Sequence, residues 1–253
     1  MTRFDGKVVL VTGAATGIGR ATAEYLHGKG ASVYGVGLDA VEGKSVYAGK
    51  EPRLVFRETD LTATVAIGEA IADLATRFGR LDAVVNCAGV YATGKRLEEL
   101  SDLEWDHTLS VNLTAIFKVC RAALPMLRAA GGGAVVNIAS VHADATVPGV
   151  PAYAASKAGV VGLSTQMALD YAVDRIRVNA VLVGSVATRM TLDGLEEAGG
   201  AEALGLSFDR NRIARIADPS EIASAIGFLI SDDASFVTGS SMRVDGGMLA
   251  RLL

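Results

Sequence analysis

The sequence predicts an α/β fold, a doubly wound parallel sheet of about seven strands with helices on both faces. Three observations carry this expectation. Short apolar runs that stop at a glycine or a charge recur along all 253 residues. Amphipathic stretches of helical spacing separate them. The apolar runs are continuous rather than alternating, as in strands covered on both faces.

The first strand, KVVLVTG (7–13), is apolar up to its closing residues. GIGRATAEYLHGKG (17–30) follows as a helix, with Ile18, Ala21, Tyr25 and Leu26 at helical spacing and Gly28 and Gly30 closing it. ASVYGVG is the second strand, and a short polar helix near 41–48 comes next. RLVFRETD (53–60) is the third strand, 62–79 an amphipathic helix and LDAVVNCAG (81–89) the fourth strand. Residues 103–130 read as one long helix, with a kink expected at Pro125. GAVVNIAS (133–140) is a strand, 152–173 a helix and RIRVNAVLVG (175–184) a strand. EIASAIGFLI (221–230) is a helix, and SSMRVDGG (240–247) is the last strand. Right-handed crossovers between parallel strands favour a Rossmann-like order. Residues 189–217, rich in Gly, Ala, Glu and Arg, break the rhythm, and a mobile lid or substrate loop is expected there. No linker or repeat interrupts the pattern, so one domain is expected over 1–253.

Half of the residues are apolar and 21% are charged, ample for a large core. A net charge of -4 without a Lys/Arg cluster argues against a nucleic-acid partner. The N-terminus MTRFDGKVVLVTG moves straight into a strand, without the apolar segment of a signal peptide. No run approaches the roughly 18 apolar residues of a membrane helix, so no membrane partner is expected. Cys87 and Cys120 sit in apolar contexts and read as reduced core residues, which points to a cytoplasmic protein. No metal site is expected.

TGAATGIG (12–19) joins the first strand to the first helix. Gly13 and Gly17 let the backbone approach a pyrophosphate, and Gly19 allows close helix–strand packing. The amide groups and positive dipole at the helix start favour an anion. Glycine is 29 of 253 residues, so such a string also arises in ordinary turns. Its place after the first strand of an alternating pattern is what points to a dinucleotide. Asp60, closing the third strand, can accept from an adenine amino group, cap the helix beginning near Thr62, or do both.

PAYAASKAGV (151–160) sets Tyr153 and Lys157 four apart, on one helix face. A tyrosine serves as a general base only if its pKa, near 10 in peptides, falls toward working pH. An ammonium about 4–5 Å away supplies roughly 4 kcal/mol at an effective dielectric near 20, close to three pKa units. Ser140 closes a strand 13 residues before Tyr153, at the carboxyl end where open α/β sheets bind ligands. It can donate to a carbonyl oxygen while Tyr153 transfers the proton.

Together these residues resemble the short-chain dehydrogenase/reductase family, over essentially the whole chain. The matching pieces are TGAATGIG (12–19), DLT (60–62), NCAG (86–89), SVNLT (110–114), Ser140, YAASK (153–157) and FVTGSSMRVDGG (236–247). The resemblance implies hydride transfer between a secondary alcohol or ketone and a nicotinamide cofactor, with Tyr153 as acid/base. It implies that Ser140 orients and polarises the reacting oxygen, and that Lys157 lowers the tyrosine pKa and binds the ribose hydroxyls. Asn112 is implied to hold a water that relays protons from Lys157. The cofactor would rest on Gly13, Thr16, Gly17, Ile18 and Gly19, with Asp60 and Leu61 toward the adenosine. Asn86, Ala88 and Gly89 would stand beside it, Asn86 in a mainly structural role. Gly184, Val186 and Thr188 would flank the nicotinamide. One departure is VGSVAT (183–188), where Val183 replaces the family's usual proline. A homotetramer, or a homodimer, is implied through the helices at 103–130 and 152–173, the apolar tail GGMLARLL adding contacts.

The acid that usually reads an NAD ribose would stand 18 residues after Gly19, and Gly37 is there. NADP-preferring members place a base just after that point or just before the second loop glycine; Leu38 and Thr16 occupy those positions. Asp39, displaced by two, can read the ribose or cap the following helix. The absence of bases predicts NAD rather than NADP. His142 faces the substrate if the strand end is extended, and is otherwise a solvated loop residue. Arg189 can pair with a substrate carboxylate or phosphate, or lie in solvent; Arg212 and Arg215 are further candidates of that kind. The substrate stays open among ketoacyl, steroid, sugar and small hydroxy-acid classes. The leading expectation is an NAD-dependent alcohol dehydrogenase or carbonyl reductase acting on a small-molecule alcohol or ketone. An NADPH-dependent 3-oxoacyl thioester (acyl-carrier-protein) reductase is the alternative. A catalytically silent dinucleotide-binding protein is a third, which the intact Asn112, Ser140, Tyr153 and Lys157 argue against.

Overall fold

The computed structural model describes residues 4–50, 52–197 and 199–250. Seven strands form one sheet: β1 (Val8–Thr12), β2 (Ser32–Gly37), β3 (Leu54–Glu58), β4 (Ala83–Asn86), β5 (Gly133–Ile138), β6 (Ile176–Val183) and β7 (Ser241–Val244). Their order is β3-β2-β1-β4-β5-β6-β7, and every neighbouring pair is parallel. The expected doubly wound sheet is therefore present, and its order reverses between β1 and β4. In such sheets the crevice opens at the carboxyl ends of the strands flanking the reversal.

Eight α-helices accompany the strands among the described residues: α1 (Gly17–Gly28), α2 (Ala40–Tyr47), α3 (Thr64–Phe78), α4 (Asp102–Leu109), α5 (Ala115–Ala129), α6 (Pro151–Asp170), α7 (Arg189–Glu197) and α8 (Pro219–Ile230). Alternate residues of β1 explain why its apolar run is unbroken. Val9 and Val11 join Leu26 of α1 and Ile222, Ile226 and Leu229 of α8 in one core. Val8 and Leu10 join Ile67 and Leu74 of α3, Val119 and Leu127 of α5 and Val160 of α6 in the other. Each large side chain fully buried this way contributes roughly 1.5–3 kcal/mol.

Helix ends follow local chemistry. Gly79, with φ 69°, closes α3 in the left-handed region that glycine tolerates. Before α8, Asp218 accepts from the Ser220 amide at 2.8 Å, Glu221 accepts from the Asp218 amide at 2.9 Å, and Pro219 takes the first turn. This capping box starts the helix two residues ahead of the expected 221.

Two expectations change. The helix at 103–130 is α4 and α5 joined by a π-helical turn, Ser110–Thr114, and Pro125 lies inside α5 without ending it. The combined run Asp102–Ala129 is apolar and long enough to cross a membrane, contrary to the reading of the apolar runs. Its apolar face, including Ile116, Val119, Ala123 and Leu127, packs in the core, which accounts for that composition. Residues 189–217 are not one loop: they begin with α7, include a 3₁₀ turn at Glu202–Leu204, and return to the body through a parallel bridge between Val186 and Ala217.

Candidate active site

A cleft of about 410 Å³ runs across the carboxyl ends of β1, β2, β4, β5 and β6. Thr12 spans the reversal: its Oγ1 accepts from the amides of Cys87 and Ala88, at 3.0 and 3.1 Å. That pins the end of β4 against β1, a bond between residues 75 and 76 positions apart that no local motif announces. Two glycines set the loop above it. A Cβ on Gly13 would lie 2.9 Å from the Ala88 Cα, and one on Gly19 would overlap the Gly13 carbonyl. Thr16 precedes α1 without capping it through its side chain, and no acid lies in the first turn. The unpaired amides at the start of α1 thus face the cleft beside Gly17, Ile18 and Gly19, an arrangement suited to a pyrophosphate.

At the far end, Gly37, Leu38, Asp39, Asp60 and Leu61 line the cleft. Asp39 occupies the N-cap position of α2 yet makes no side-chain capping bond, so its carboxylate is uncommitted to the helix. Asp60 Oδ1 accepts from the Thr62 amide and hydroxyl, at 2.8 and 2.7 Å, which holds its carboxyl below the usual range. It closes this turn rather than capping α3, whose N-cap is Ala63. Ala88, Gly89, Gly184, Val186 and Thr188 line the cleft as expected. The loop at Val183 is held without the proline: Gly184 donates to the Val244 carbonyl, Ala187 to Ala217 and Ala217 to Ser185.

The Asn86 side chain has the structural role expected of it. It is buried, off the cleft, and its amide donates to Asn137 Oδ1 at 2.8 Å and to Cys120 Sγ at 3.4 Å. As the last residue of β4 it points to the face covered by α5; its neighbour Cys87 is the residue that lines the cleft. Asn112 is also spent within the protein. The π-helical turn brings its side chain to the main chain of Val90, accepting from the amide at 2.8 Å and donating to the carbonyl at 2.9 Å. It also donates to Ser156 Oγ at 3.1 Å. Its side chain holds the β4 end in place beside Lys157.

Ser140, Tyr153 and Lys157 converge at the inner end of the cleft. Pro151 in the first turn of α6 and one helical turn of spacing present Tyr153 and Lys157 to the same side. Ser140 ends the extended segment after β5 and accepts the His142 amide at 3.3 Å, and its hydroxyl lies near enough to that of Tyr153 to favour the ionised phenol. Lys157 is buried, and its Nζ donates to the Ile138 carbonyl at 2.9 Å. Burial draws the Lys157 ammonium down to about 8 and pushes the Tyr153 hydroxyl up to about 12. The Ser140 hydroxyl opposes that rise in Tyr153, and the nearby Tyr91 hydroxyl adds to it. The expected lowering of the phenol by Lys157 is therefore not produced by the protein's own groups. Nζ stands 5.6 Å from the ring centroid and is directed at a carbonyl, while desolvation disfavours both charged forms.

Of the substrate candidates, His142 is neither an extended pocket residue nor a solvated one. The chain after Ser140 turns into a 3₁₀ segment, Val141–Ala143, and lays the half-buried ring against Tyr153, with centroids 5.4 Å apart. Arg189 stands at the rim, its side chain 82% exposed and 3.7 Å from Asp193 Oδ2. Arg212 is exposed, and Arg215 is bound by both oxygens of Glu221, at 2.8 and 2.6 Å. Tyr91 is a residue that none of the motifs singles out. It packs edge-on to Tyr153 at 4.7 Å, and the sole cue in the sequence is an aromatic two residues beyond NCAG. A second cavity, about 540 Å³, lies at the amino ends of the strands. Its Lys7 and Arg80 face Asp82, and its Arg177 donates to the Leu229, Val237 and Ser231 carbonyls.

A doubly wound sheet with a glycine-lined anion loop and a Ser–Tyr–Lys cluster at the switch point defines a dinucleotide-binding oxidoreductase. A family model described as enoyl-(acyl carrier protein) reductase matches residues 13–249. A D-threitol dehydrogenase of Mycolicibacterium smegmatis is 39% identical, over 97% of this chain and 94% of its own length. A 3-oxoacyl-(acyl-carrier-protein) reductase of Thermotoga maritima is 36% identical, over 98% and 99%. The crystal structure of levodione reductase superposes with a TM-score of 0.92 at 31% identity, covering 99% of this chain and all of that one (100%). The chain belongs to the short-chain dehydrogenase/reductase family. It is an oxidoreductase of the kind that interconverts alcohols and carbonyl compounds.

Proposed function

We propose that the protein transfers hydride between a small secondary alcohol or ketone and NAD(H), with Tyr153 moving the proton. The observation that carries this reading is the convergence of Ser140, Tyr153 and Lys157 at the inner end of the glycine-lined cleft. Bound NAD supplies the hydride acceptor, or as NADH the donor. Gly13 and the α1 amides would hold its pyrophosphate, Asp60 and Leu61 its adenine side, and Thr188 and Val186 its nicotinamide side. Tyr153 gives its proton to the ketone oxygen, or takes it from the alcohol, while the Ser140 hydroxyl donates to the same oxygen. Lys157 would bind ribose hydroxyls. Asn112 acts as a positioning residue through Val90, and a relay water beside it remains part of the proposal.

NAD is preferred over NADP because Leu38 and Thr16 offer a 2′-phosphate no cation, and because the uncapped Asp39 repels one. A like-charge pair at 4 Å costs from about 1 kcal/mol in water to about 4 kcal/mol at an effective dielectric of 20. A panel of secondary alcohols and ketones assayed with NAD(H) and NADP(H) in parallel tests this. NAD should give at least about tenfold higher kcat/KM, and Asp39→Ala should shrink that ratio, each tenfold being about 1.4 kcal/mol. Equal or better efficiency with NADP would instead favour the 3-oxoacyl thioester reductase, the reading suggested by the relative from Thermotoga maritima.

We read the protein as a cytoplasmic, single-domain homotetramer. Phe117 on α5 and Leu169 on α6 are exposed apolar side chains on the helices expected to pair, and Val173, just after α6, is exposed too. Of the tail, residues 251–253 lie outside the described residues. Light scattering should give four times the 26.1 kDa chain mass; a monomer would rule the assembly out.

A further inference from the structure

Tyr47, the last residue of α2, is buried, and its hydroxyl donates to the Ala14 carbonyl at 3.1 Å. Ala14 belongs to the turn TGAATGIG, between Gly13 and the start of α1. Its own amide donates to the Val36 carbonyl of β2 at 3.3 Å. Both polar groups of this residue are therefore tied to the β2–α2 side of the molecule. The amides at Gly17, Ile18 and Gly19, a few residues on, face the cleft. The partners stand 33 positions apart, so nothing local in either segment produces the bond.

Two glycines make room for the contact, and neither has the positive φ that would explain a glycine by itself. A Cβ on Gly35, inside β2, would lie 2.6 Å from Tyr47 Oη and 2.8 Å from the Ala14 Cβ. One on Gly43 of α2 would overlap the Phe56 ring of β3, so that glycine lets the helix settle onto the sheet. Glycine weakens a strand interior and commonly marks the close approach of another group. At Gly35 that group is the Tyr47 hydroxyl. Phe56 supports the far side of the phenol, edge-on with ring centroids 5.5 Å apart. Burial pushes the Tyr47 hydroxyl well above its ordinary pKa, so it stays a donor at neutral and alkaline pH.

We propose that Tyr47 is a positioning residue for the dinucleotide: its hydroxyl holds the Ala14 peptide so that the amides beginning α1 stay aimed at the pyrophosphate. The inference rests on the dinucleotide reading of the cleft given above. Tyr47 is not one of the residues lining that cleft, so its influence passes through Ala14. A loop already held in its binding form loses little freedom when the cofactor arrives, whereas a released loop must first be ordered. Because α2 starts beside Asp39 and ends at Tyr47, one short helix braces both the adenosine end and the anion loop.

The test compares Tyr47→Phe with Tyr34→Phe in the full-length protein. Phenylalanine at 47 keeps a ring against Phe56 and removes only the donor to Ala14. Tyr34 is the control: it is also buried, it lies on the opposite face of β2, and its hydroxyl donates to Asp73 of α3 at 2.6 Å. Tyr47→Phe should raise the NADH dissociation constant, read by fluorescence titration, about five- to tenfold. In the protein without cofactor it should speed hydrogen exchange of the amides at 15–19 by a similar factor. Tyr34→Phe should leave both readouts within about twofold of wild type, whatever it does to the melting temperature. Unchanged NADH affinity or unchanged exchange in Tyr47→Phe, or equal losses in the two variants, would overturn the proposal and leave the dinucleotide reading intact. If wild type binds neither NADH nor NADPH, that reading falls and the proposal falls with it.

Discussion

Tyr153→Phe is expected to reduce turnover by about 10²–10⁴-fold, the range that a positioned acid/base contributes, while cofactor affinity and thermal stability stay near wild type. The packing explains the separation. Phenylalanine keeps the ring between Tyr91 and His142 and removes only the hydroxyl. Burial holds that hydroxyl up at about 12, so it is protonated through neutral pH and ready to donate to a ketone. In alcohol oxidation the same group must accept a proton, so the oxidation rate should climb with pH where the reduction rate does not. Rates in both directions, with cofactor titrations of wild type and variant, check the expectation. A variant with near-normal turnover would remove Tyr153 from the chemistry.

Gly19→Val is expected to destabilise the fold by about 1–3 kcal/mol, the usual cost of overpacking, and to abolish dinucleotide binding. A Cβ there would sit 2.7 Å from the Gly13 carbonyl carbon and 3.1 Å from the Thr12 carbonyl oxygen. Both are main-chain atoms that cannot rotate away, unlike the end of a flexible side chain. Relief must come from moving α1 off β1, which also moves the α1 amides that face the cleft. Gly68→Ala is the control. Gly68 lies in α3, a Cβ there meets nothing within 4 Å, and alanine in a helix gains about 0.5–1 kcal/mol over glycine. Melting curves and cofactor titration of the two variants should separate cleanly. Wild-type binding by Gly19→Val would show that the loop is not the anion site.

Features repeated along the chain were legible in the sequence. Strands β1 to β6 each feed two cores, so their apolar runs are largely unbroken and flanked by amphipathic helices, and the sheet order follows from that alternation. Gly13, Gly17 and Gly19 could be read because a tight turn and close backbone approach need glycine. Contacts between distant residues were not legible. Thr12 reaches Cys87 and Ala88, and Asn112 reaches Val90 through a π-helical turn that interrupts an otherwise uniform helical pattern. Asn86 turns toward α5 because strand parity sets its face, and the motif around it does not announce its partners Asn137 and Cys120. The Tyr153–Lys157 spacing predicted their proximity but not the electrostatics. Spacing fixes the distance that sets Coulomb attraction, whereas desolvation depends on how deeply the finished fold buries each group. Tyr91 was hidden for the same reason: one aromatic in a loop has meaning only once Tyr153 is seen beside it.

The central claim is that the Ser140–Tyr153–Lys157 end of the cleft moves a hydride and a proton between a carbinol and a nicotinamide. A secondary alcohol carrying deuterium on its carbinol carbon, incubated with NAD⁺ and analysed by NMR, tests it most directly. Wild type should place the deuterium on C4 of the reduced nicotinamide, and Tyr153→Phe should bind NAD⁺ yet transfer almost none. Absence of label on the cofactor across cyclic and open-chain alcohols, or equal transfer by the phenylalanine variant, would contradict the account.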